Sequence, residues 1–164
     1  MAQIKLSLDF TKMLDDIKAA GGDIEKAAKK VASECADVMA DELRGECNAS
    51  GVPASITREI ESGVNVTSGG NVYEVEVGWK KGEYDPKNPS AAYKAIFLNY
   101  GTPKERKVEK SHQHLNINGE WVTFSKSRGV IRPRGFIDRA RKGAKKKVKK
   151  VQRDALNEML KELK

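Results

Sequence analysis

The chain has 164 residues and a formal net charge of +8, with 38% hydrophobic and 6% aromatic residues. This size suits one domain, residues 1–164, with a modest core of Val, Ile, Leu and Ala. No apolar run reaches the roughly 18–20 residues of a membrane-spanning helix, and we expect no signal peptide. Cys35 and Cys47 lack CxxC spacing and are expected to be reduced cytosolic thiols.

Charge is distributed unevenly along the chain. Residues 1–100 hold 12 Lys/Arg against 16 Asp/Glu, a net charge of −4, whereas residues 101–164 hold 19 against 7, a net charge of +12. A chain that is acidic at one end and basic at the other can bind nucleic acid, but it can equally bind copies of itself.

The N-terminal region is predicted to form a strand followed by two helices. Alternating apolar and polar residues indicate a half-buried strand over residues 3–10. A short helix over residues 11–20 would end at Gly21-Gly22, and Asp23 would cap a longer helix that runs to about Gly45. The apolar stripe of the longer helix follows the 3.6-residue period and consists of Ile24, Ala27, Ala28, Val31, Cys35, Val38, Met39 and Leu43. A cysteine in such a stripe is expected to pack in the core.

The middle of the chain carries a hairpin pattern. Residues 48–53 are predicted to form a loop, and residues 57–61 fit either a helical turn or the start of a strand. Two alternating runs, 64–67 and 72–79, are separated by a Gly-Gly turn and predict a β-hairpin. A polar surface loop over residues 80–90 follows.

Two apolar segments serve as anchors for the rest of the chain. Residues 91–102 predict a short helix, in which Gly101 suits a position with positive φ and Pro103 cannot continue the helix. Pro133 begins a turn that delivers Phe136 and Ile137 into a C-terminal helix over residues 136–164. The predicted structural anchors are Tyr100, Gly101, Pro133 and Phe136. We expect the two segments to pack together, with Phe136 and Ile137 buried beside the helix that carries Tyr93, Ile96, Phe97 and Tyr100.

A charged stretch, residues 104–132, separates the two anchors. Within it, Asn118-Gly119 lies between two apolar-alternating pieces, which predicts an inserted β-hairpin at residues 114–125. An isolated two-stranded hairpin is only marginally stable in water. We therefore expect this segment to serve a partner, with Trp121, Val122 and Phe124 partly exposed in the free subunit and covered in the assembly.

The anchor motifs also carry a family resemblance. A helix ending in Tyr100-Gly101-Thr102, followed by a Pro-x-x-Phe-(Ile/Leu) entry into a final helix, resembles the small neck or tail-joining proteins of long-tailed bacteriophages. These are usually described as head–tail joining, tail-completion or minor tail components. Their second anchor typically is Pro-Phe-Leu, whereas this chain has an Arg-Gly insertion at Arg134-Gly135 and a longer segment between the anchors. The resemblance implies a virion structural protein that is assembled in the host cytoplasm and docks to other neck or tail proteins.

We find no catalytic set in the sequence. His112 and His114 have the spacing of a weak metal site, but they lack an acidic or Cys partner, so two solvated histidines are the favoured interpretation. The chain has no P-loop, GxSxG, HExxH or calcium-loop motif. We expect no enzymatic activity, no cofactor and no metal.

The strongest electrostatic feature lies in the C-terminal helix, where residues 139–150 hold eight cations. Three interpretations stay open: a solvated face, a contact with the acidic half of a neighbouring subunit, and non-specific contact with DNA phosphates, which would depend on salt. The opposite face is barely apolar before Val148, so the first half of this helix is expected to be largely exposed. The predicted interface residues are Arg139, Arg141, Lys145, Lys146, Lys149, Trp121 and Phe124.

Together these patterns predict an α+β fold. A small antiparallel sheet from strands near 3–10, 64–68 and 72–79 would pack against helices near 23–45 and 136–164. Repulsion within the basic half would be relieved in a homo-oligomer with head-to-tail contacts, which close into a ring when the rotation permits. The leading functional hypothesis is a ring-forming structural protein of the phage head–tail junction or tail-tube end. The alternative is a small basic nucleic-acid-binding protein that uses the C-terminal helix.

Overall fold

The computed structural model describes residues 3–9, 11–19, 23–66, 72–82, 89–102, 114–117, 120–123 and 131–162. In chain order the elements are β1 (Gln3–Asp9), α1 (Thr11–Ala19), α2 (Ile24–Ala49), α3 (Ala54–Thr57), β2 (Glu61–Val66), β3 (Val72–Gly78), α4 (Ala91–Tyr100), β4 (His114–Ile117), β5 (Glu120–Thr123) and α5 (Phe136–Glu162). The predicted α+β class is confirmed.

Three antiparallel strands form the main sheet, in the order β1-β3-β2. In the central strand Tyr73, Val75 and Val77 point towards the helices and are buried, whereas Glu74 and Glu76 alternate with them and are half-buried. This is the period-two pattern of a sheet with one covered face. The segment 57–61, for which the sequence left two alternatives open, contains the end of α3 and the first residue of β2.

Helix α2 is longer than the sequence predicted. Its start is as expected, because the backbone N–H of Lys26 donates to Asp23 Oδ1 over 3.1 Å. Its end lies at Ala49 and not near Gly45, since one exposed glycine costs a helix only about 1 kcal/mol. The chain leaves the helix at Ser50 and Gly51, where Gly51 has a φ of +66°.

Helices α2 and α5 lie antiparallel and pack against each other along the sheet. The C-terminal end of α2 meets the first turn of α5, where Glu46 contacts Arg139, and one turn earlier Glu42 contacts Lys147. The expectation that the first half of α5 is largely exposed is wrong for the face that meets α2. Ala140 is fully buried there. Alanines cover this face, and their small side chains let the two helices approach closely without forming a strong apolar stripe in the sequence.

The predicted inserted hairpin is present as β4 and β5. These strands pair antiparallel in a sheet of their own, and the register of Ile117 with Glu120 leaves two residues for the turn, as the Asn-Gly signal predicted. Trp121 is a residue of β5. The turn itself, Phe124 and most of the charged arms lie outside the described residues.

Candidate functional site

The two anchor segments meet where α4 ends and α5 begins. Gly101 has a φ of +77°, and a Cβ at this position would lie 2.7 Å from Ile131 O, so the close approach requires glycine. The backbone N–H of Thr102 donates to Ile131 O over 3.0 Å, and the N–H of Arg134 donates to Leu98 O over 3.1 Å. Backbone hydrogen bonds therefore join the two segments. The same added Cβ would lie 3.0 Å from Pro133 Cδ, so Pro133 also limits the space at Gly101.

Asn99 ties α4 to the start of α5. Its side chain is 1% exposed, and its Oδ1 accepts a hydrogen bond of 2.8 Å from the backbone N–H of Ile137, the second residue of α5. Its backbone carbonyl accepts from Gly135 N–H over 3.0 Å. The first N–H groups of a helix have no partner inside the helix, and Asn99 supplies one from a different element. Sequence patterns assigned this residue no role beyond its place in the helical spacing.

Phe136 forms the apolar part of the same junction. It is fully buried and packs edge-on against Trp79, with ring centroids 6.4 Å apart and an interplanar angle of 76°. The indole N–H of Trp79 donates to Ile56 O over 2.7 Å, which satisfies its only polar atom. Phe136 and Ile137 are thus buried, as the sequence led us to expect.

Tyr100, which the sequence predicted as a structural anchor, has an exposed side chain. Its exposed fraction is 59%. Consecutive residues of a helix point about 100° apart, so when Asn99 faces the core its neighbour faces outwards. Tyr100 instead lines a shallow, open cleft together with Lys5 and Arg141.

Charged side chains join α5 to the end of α2. Arg139 Nε donates to Glu46 Oε2 over 2.8 Å, and one of its terminal nitrogens donates to Ser50 Oγ over 2.7 Å. Arg134, part of the Arg-Gly insertion, donates to the carbonyls of Ser50 and Gly51 over 2.8 and 2.7 Å. These carbonyls follow the C-terminal end of α2, where a helix has unpaired acceptors and attracts positive charge. Part of the charge complementarity that the sequence assigned to contacts between subunits is therefore met within one chain.

The outward face of α5 carries cations that do not contact α2. We call it the basic stripe; it consists of Arg141, Lys142, Lys145, Lys146, Lys149 and Lys150, all exposed. None of them forms an ion pair with another described residue. Of the predicted interface cations, Arg141, Lys145, Lys146 and Lys149 belong to the stripe, whereas Arg139 belongs to the contact with α2. The side chains of Trp121 and Phe124 lie outside the described part of the chain.

Neither cysteine is placed for chemistry. Both are fully buried in α2, and burial raises the pKa of the Cys35 thiol to about 12 and that of Cys47 to about 11. Both are thus thiols at neutral pH, with the packing role predicted for Cys35. Among the described residues no group of three His, Cys, Asp or Glu could hold a metal ion. His112 lies outside those residues, and only the backbone of His114 is described.

Comparison with known proteins identifies the class of this α+β chain as a structural protein of bacteriophages. A family profile described as "Bacteriophage HK97-gp10, putative tail-component" matches residues 11–101, more than half of the chain. The protein belongs to this family. The match runs from α1 to Gly101 and confirms the resemblance to phage neck and tail proteins; α5 and its basic stripe lie beyond it. No curated protein and no solved structure matches the chain. In the described residues, no helix has the length and apolar character to cross a membrane.

Proposed function

We propose that the protein is a structural component of the phage head–tail junction or tail-tube end. It acts there as a homo-oligomeric ring that docks onto neighbouring neck or tail proteins, completing or connecting the tail. The observation that carries this proposal is the family match over residues 11–101, which spans α2, α4 and the strands β2 and β3. The protein is assembled in the host cytoplasm and becomes part of the virion. This role requires no cofactor and no catalytic group.

The edges of the main sheet support assembly through strand addition. β1 and β2 flank β3, and within the described residues each has a strand neighbour on one side only. Along β2, Ser62, Gly63 and Asn65 are all exposed. It contains no Pro and no Lys, the residues that usually protect an edge from pairing with another chain.

Two different edges on one subunit favour a ring. If β2 of one subunit adds to β1 of the next, the contact joins two unlike surfaces and repeats around an axis. Such a contact closes when the rotation permits.

The inserted hairpin is assigned to partner docking. β4 and β5 have four residues each and pair with each other, and a two-stranded hairpin of this kind gains stability only against another surface. We place Trp121 and Phe124 in that contact. In a Trp79→Phe variant, the fluorescence of Trp121 should be quenchable by iodide in the isolated subunit and protected in the assembly. Full protection in a verified monomer would contradict this assignment.

Native mass spectrometry and negative-stain imaging of the purified protein test the ring. We expect masses at a fixed multiple of the 18.1 kDa subunit and annular particles. A Ser62→Lys/Asn65→Lys variant places two cations at the β2 edge and should release subunits from the ring. The matched control, Ser33→Lys/Ser55→Lys, adds the same charge at two other exposed positions and should leave the ring intact. A wild-type protein that stays monomeric at high concentration contradicts the proposal.

A further inference from the structure

We propose that the basic stripe of α5 binds the phosphate backbone of double-stranded DNA without reading its sequence. The stripe lies outside the residues matched by the family profile, so the match assigns it no role. The proposal concerns one surface of the subunit and does not depend on whether the subunit forms a ring.

The geometry of the stripe suits a polyanion. Its four central lysines, at 142, 145, 146 and 149, have the spacing of one helix face, and Arg141 and Lys150 widen that face. With a rise of about 1.5 Å per residue, the stripe extends over roughly 13 Å. Duplex DNA carries about one negative charge per 1.7 Å of its axis, so a surface of this length faces several phosphates. The only acidic residue between 136 and 150 is Asp138, in the first turn of α5.

Part of the acidic half of a second subunit is already engaged within its own chain. Six of the thirteen carboxylate side chains described between residues 1 and 100 have a cation partner there, whereas others, such as Asp37 and Glu59, form no ion pair with a described residue. Glu42 and Glu46 contact Lys147 and Arg139 on α5. The other pairs are Glu25 with Lys29, Asp41 with Arg44, Glu61 with Lys80 and Glu76 with Lys5. Docking a neighbour's cations onto these groups would compete with existing contacts, whereas the stripe cations have no described acidic partner to give up.

The composition of the stripe also favours phosphates over a protein surface. Protein interfaces are enriched in aromatic residues, Met and Arg, and they are depleted in Lys. The stripe contains five lysines and one arginine and no apolar side chain. Among the side chains that the structure describes, Tyr100 is the only exposed large hydrophobic one, and it lies beside Arg141 at one end of the stripe. A phosphate backbone needs only positive charge at suitable spacing.

We expect binding without sequence preference because the stripe lacks the side chains that recognise bases. Residues 139–150 contain no aromatic residue for stacking on bases and no Asn or Gln for bidentate hydrogen bonds to base edges. Contacts to phosphates fix position and carry no sequence information. The structure thus supports a DNA contact of the kind a passing duplex would make, in which no sequence is preferred.

Fluorescence anisotropy tests the proposal on the full-length protein, with two duplexes of about 30 base pairs and unrelated sequence in a salt titration. Wild-type protein should bind both duplexes equally at low salt. Reversal of three stripe residues, Lys145→Glu/Lys146→Glu/Lys149→Glu, should weaken binding at least ~10-fold and reduce the salt slope by about 3. The matched control reverses the exposed lysines at 26, 30 and 94, which lie outside the stripe, and should stay within about threefold of wild type.

Three outcomes would overturn the proposal: no binding by wild type at about 50 mM salt, equal losses in the stripe and control variants, or a clear preference for one duplex. Native mass spectrometry on the same samples separates this proposal from the ring. Suppose that the wild-type protein is an oligomer without affinity for DNA and that the triple Lys→Glu variant is monomeric. The stripe is then a contact between copies of the chain, and the proposal fails. A monomer that binds DNA through the stripe would support it and contradict the ring.

Discussion

The two faces of α5 differ in nearly every physical respect, although both belong to the same stretch of helix. On the inner face Ala140, Ala144 and Val148 are buried against α2, and Arg139 and Lys147 at its borders are paired with Glu46 and Glu42. On the outer face the cations of the basic stripe are exposed. A high density of positive charge thus serves two purposes: the cations at the border help to position the helix, and the others are available to a partner.

The largest expected effect concerns the buried start of the inner face. Phe136→Ala removes a fully buried ring that packs against Trp79, and it should lower the free energy of unfolding by roughly 3–5 kcal/mol. Urea denaturation followed by circular dichroism measures this change. A variant with a wild-type unfolding midpoint would show that Phe136 does not anchor the helix.

The next effect concerns the close approach between the two anchor segments. Gly101→Ala forces a side chain into positive φ and against Ile131 O, and it should cost about 1–3 kcal/mol. The matched control is Gly45→Ala, at an exposed position inside α2 with no atom within 4 Å of the new Cβ. This control should stabilise the protein by about 0.5–1 kcal/mol. Equal effects at the two glycines would show that the approach at Gly101 is not tight.

A smaller effect is expected for the hydrogen bond that caps α5. Asn99→Ala removes the acceptor for Ile137 N–H and should cost about 1–2 kcal/mol. The adjacent Tyr100→Ala change, at an exposed side chain, should stay within about 0.5 kcal/mol of wild type. Thermal melts of the two variants compare neighbouring positions directly. A larger loss for Tyr100 than for Asn99 would restore Tyr100 as the anchor.

The smallest effect compares paired and unpaired cations. Arg139→Ala removes an exposed ion pair with Glu46 and the hydrogen bond to Ser50, and it should cost at most about 1 kcal/mol. Lys145→Ala, in the basic stripe, should change the stability by less than about 0.5 kcal/mol. Chemical denaturation in urea resolves this difference. If Lys145→Ala lowers the free energy of unfolding as much as Arg139→Ala does, the contact of Arg139 with α2 does not stabilise the fold.

Much of the fold follows from local sequence patterns. The strands β1 and β3 alternate strictly, Asp23 marks the start of α2, and Gly101 marks the end of α4 because that position needs positive φ. Each of these signals depends only on neighbouring residues. They predict the elements and their class without knowledge of tertiary contacts.

What the sequence did not predict depends on contacts between distant segments. Burial of Ala140 and Ala144 requires α2 as a neighbour, since alanine gives a weak apolar signal. The capping role of Asn99 requires α5, which begins more than thirty residues later. The sequence indicated the positive charge of α5, but it could not predict that Arg139 forms an ion pair and Lys145 does not. That difference depends on the position of α2, which supplies Glu46 as the partner of Arg139.

We propose that the outer face of α5 binds DNA while its inner face packs against α2. Acetylation of lysines, mapped by mass spectrometry with and without duplex DNA, tests the DNA contact residue by residue. We predict that DNA lowers acetylation at Lys142, Lys145, Lys146 and Lys149 and leaves the exposed lysines at 26 and 30 unchanged. Protection spread evenly over all lysines, or no protection in the stripe at a DNA concentration that saturates binding, would contradict a DNA contact at the stripe.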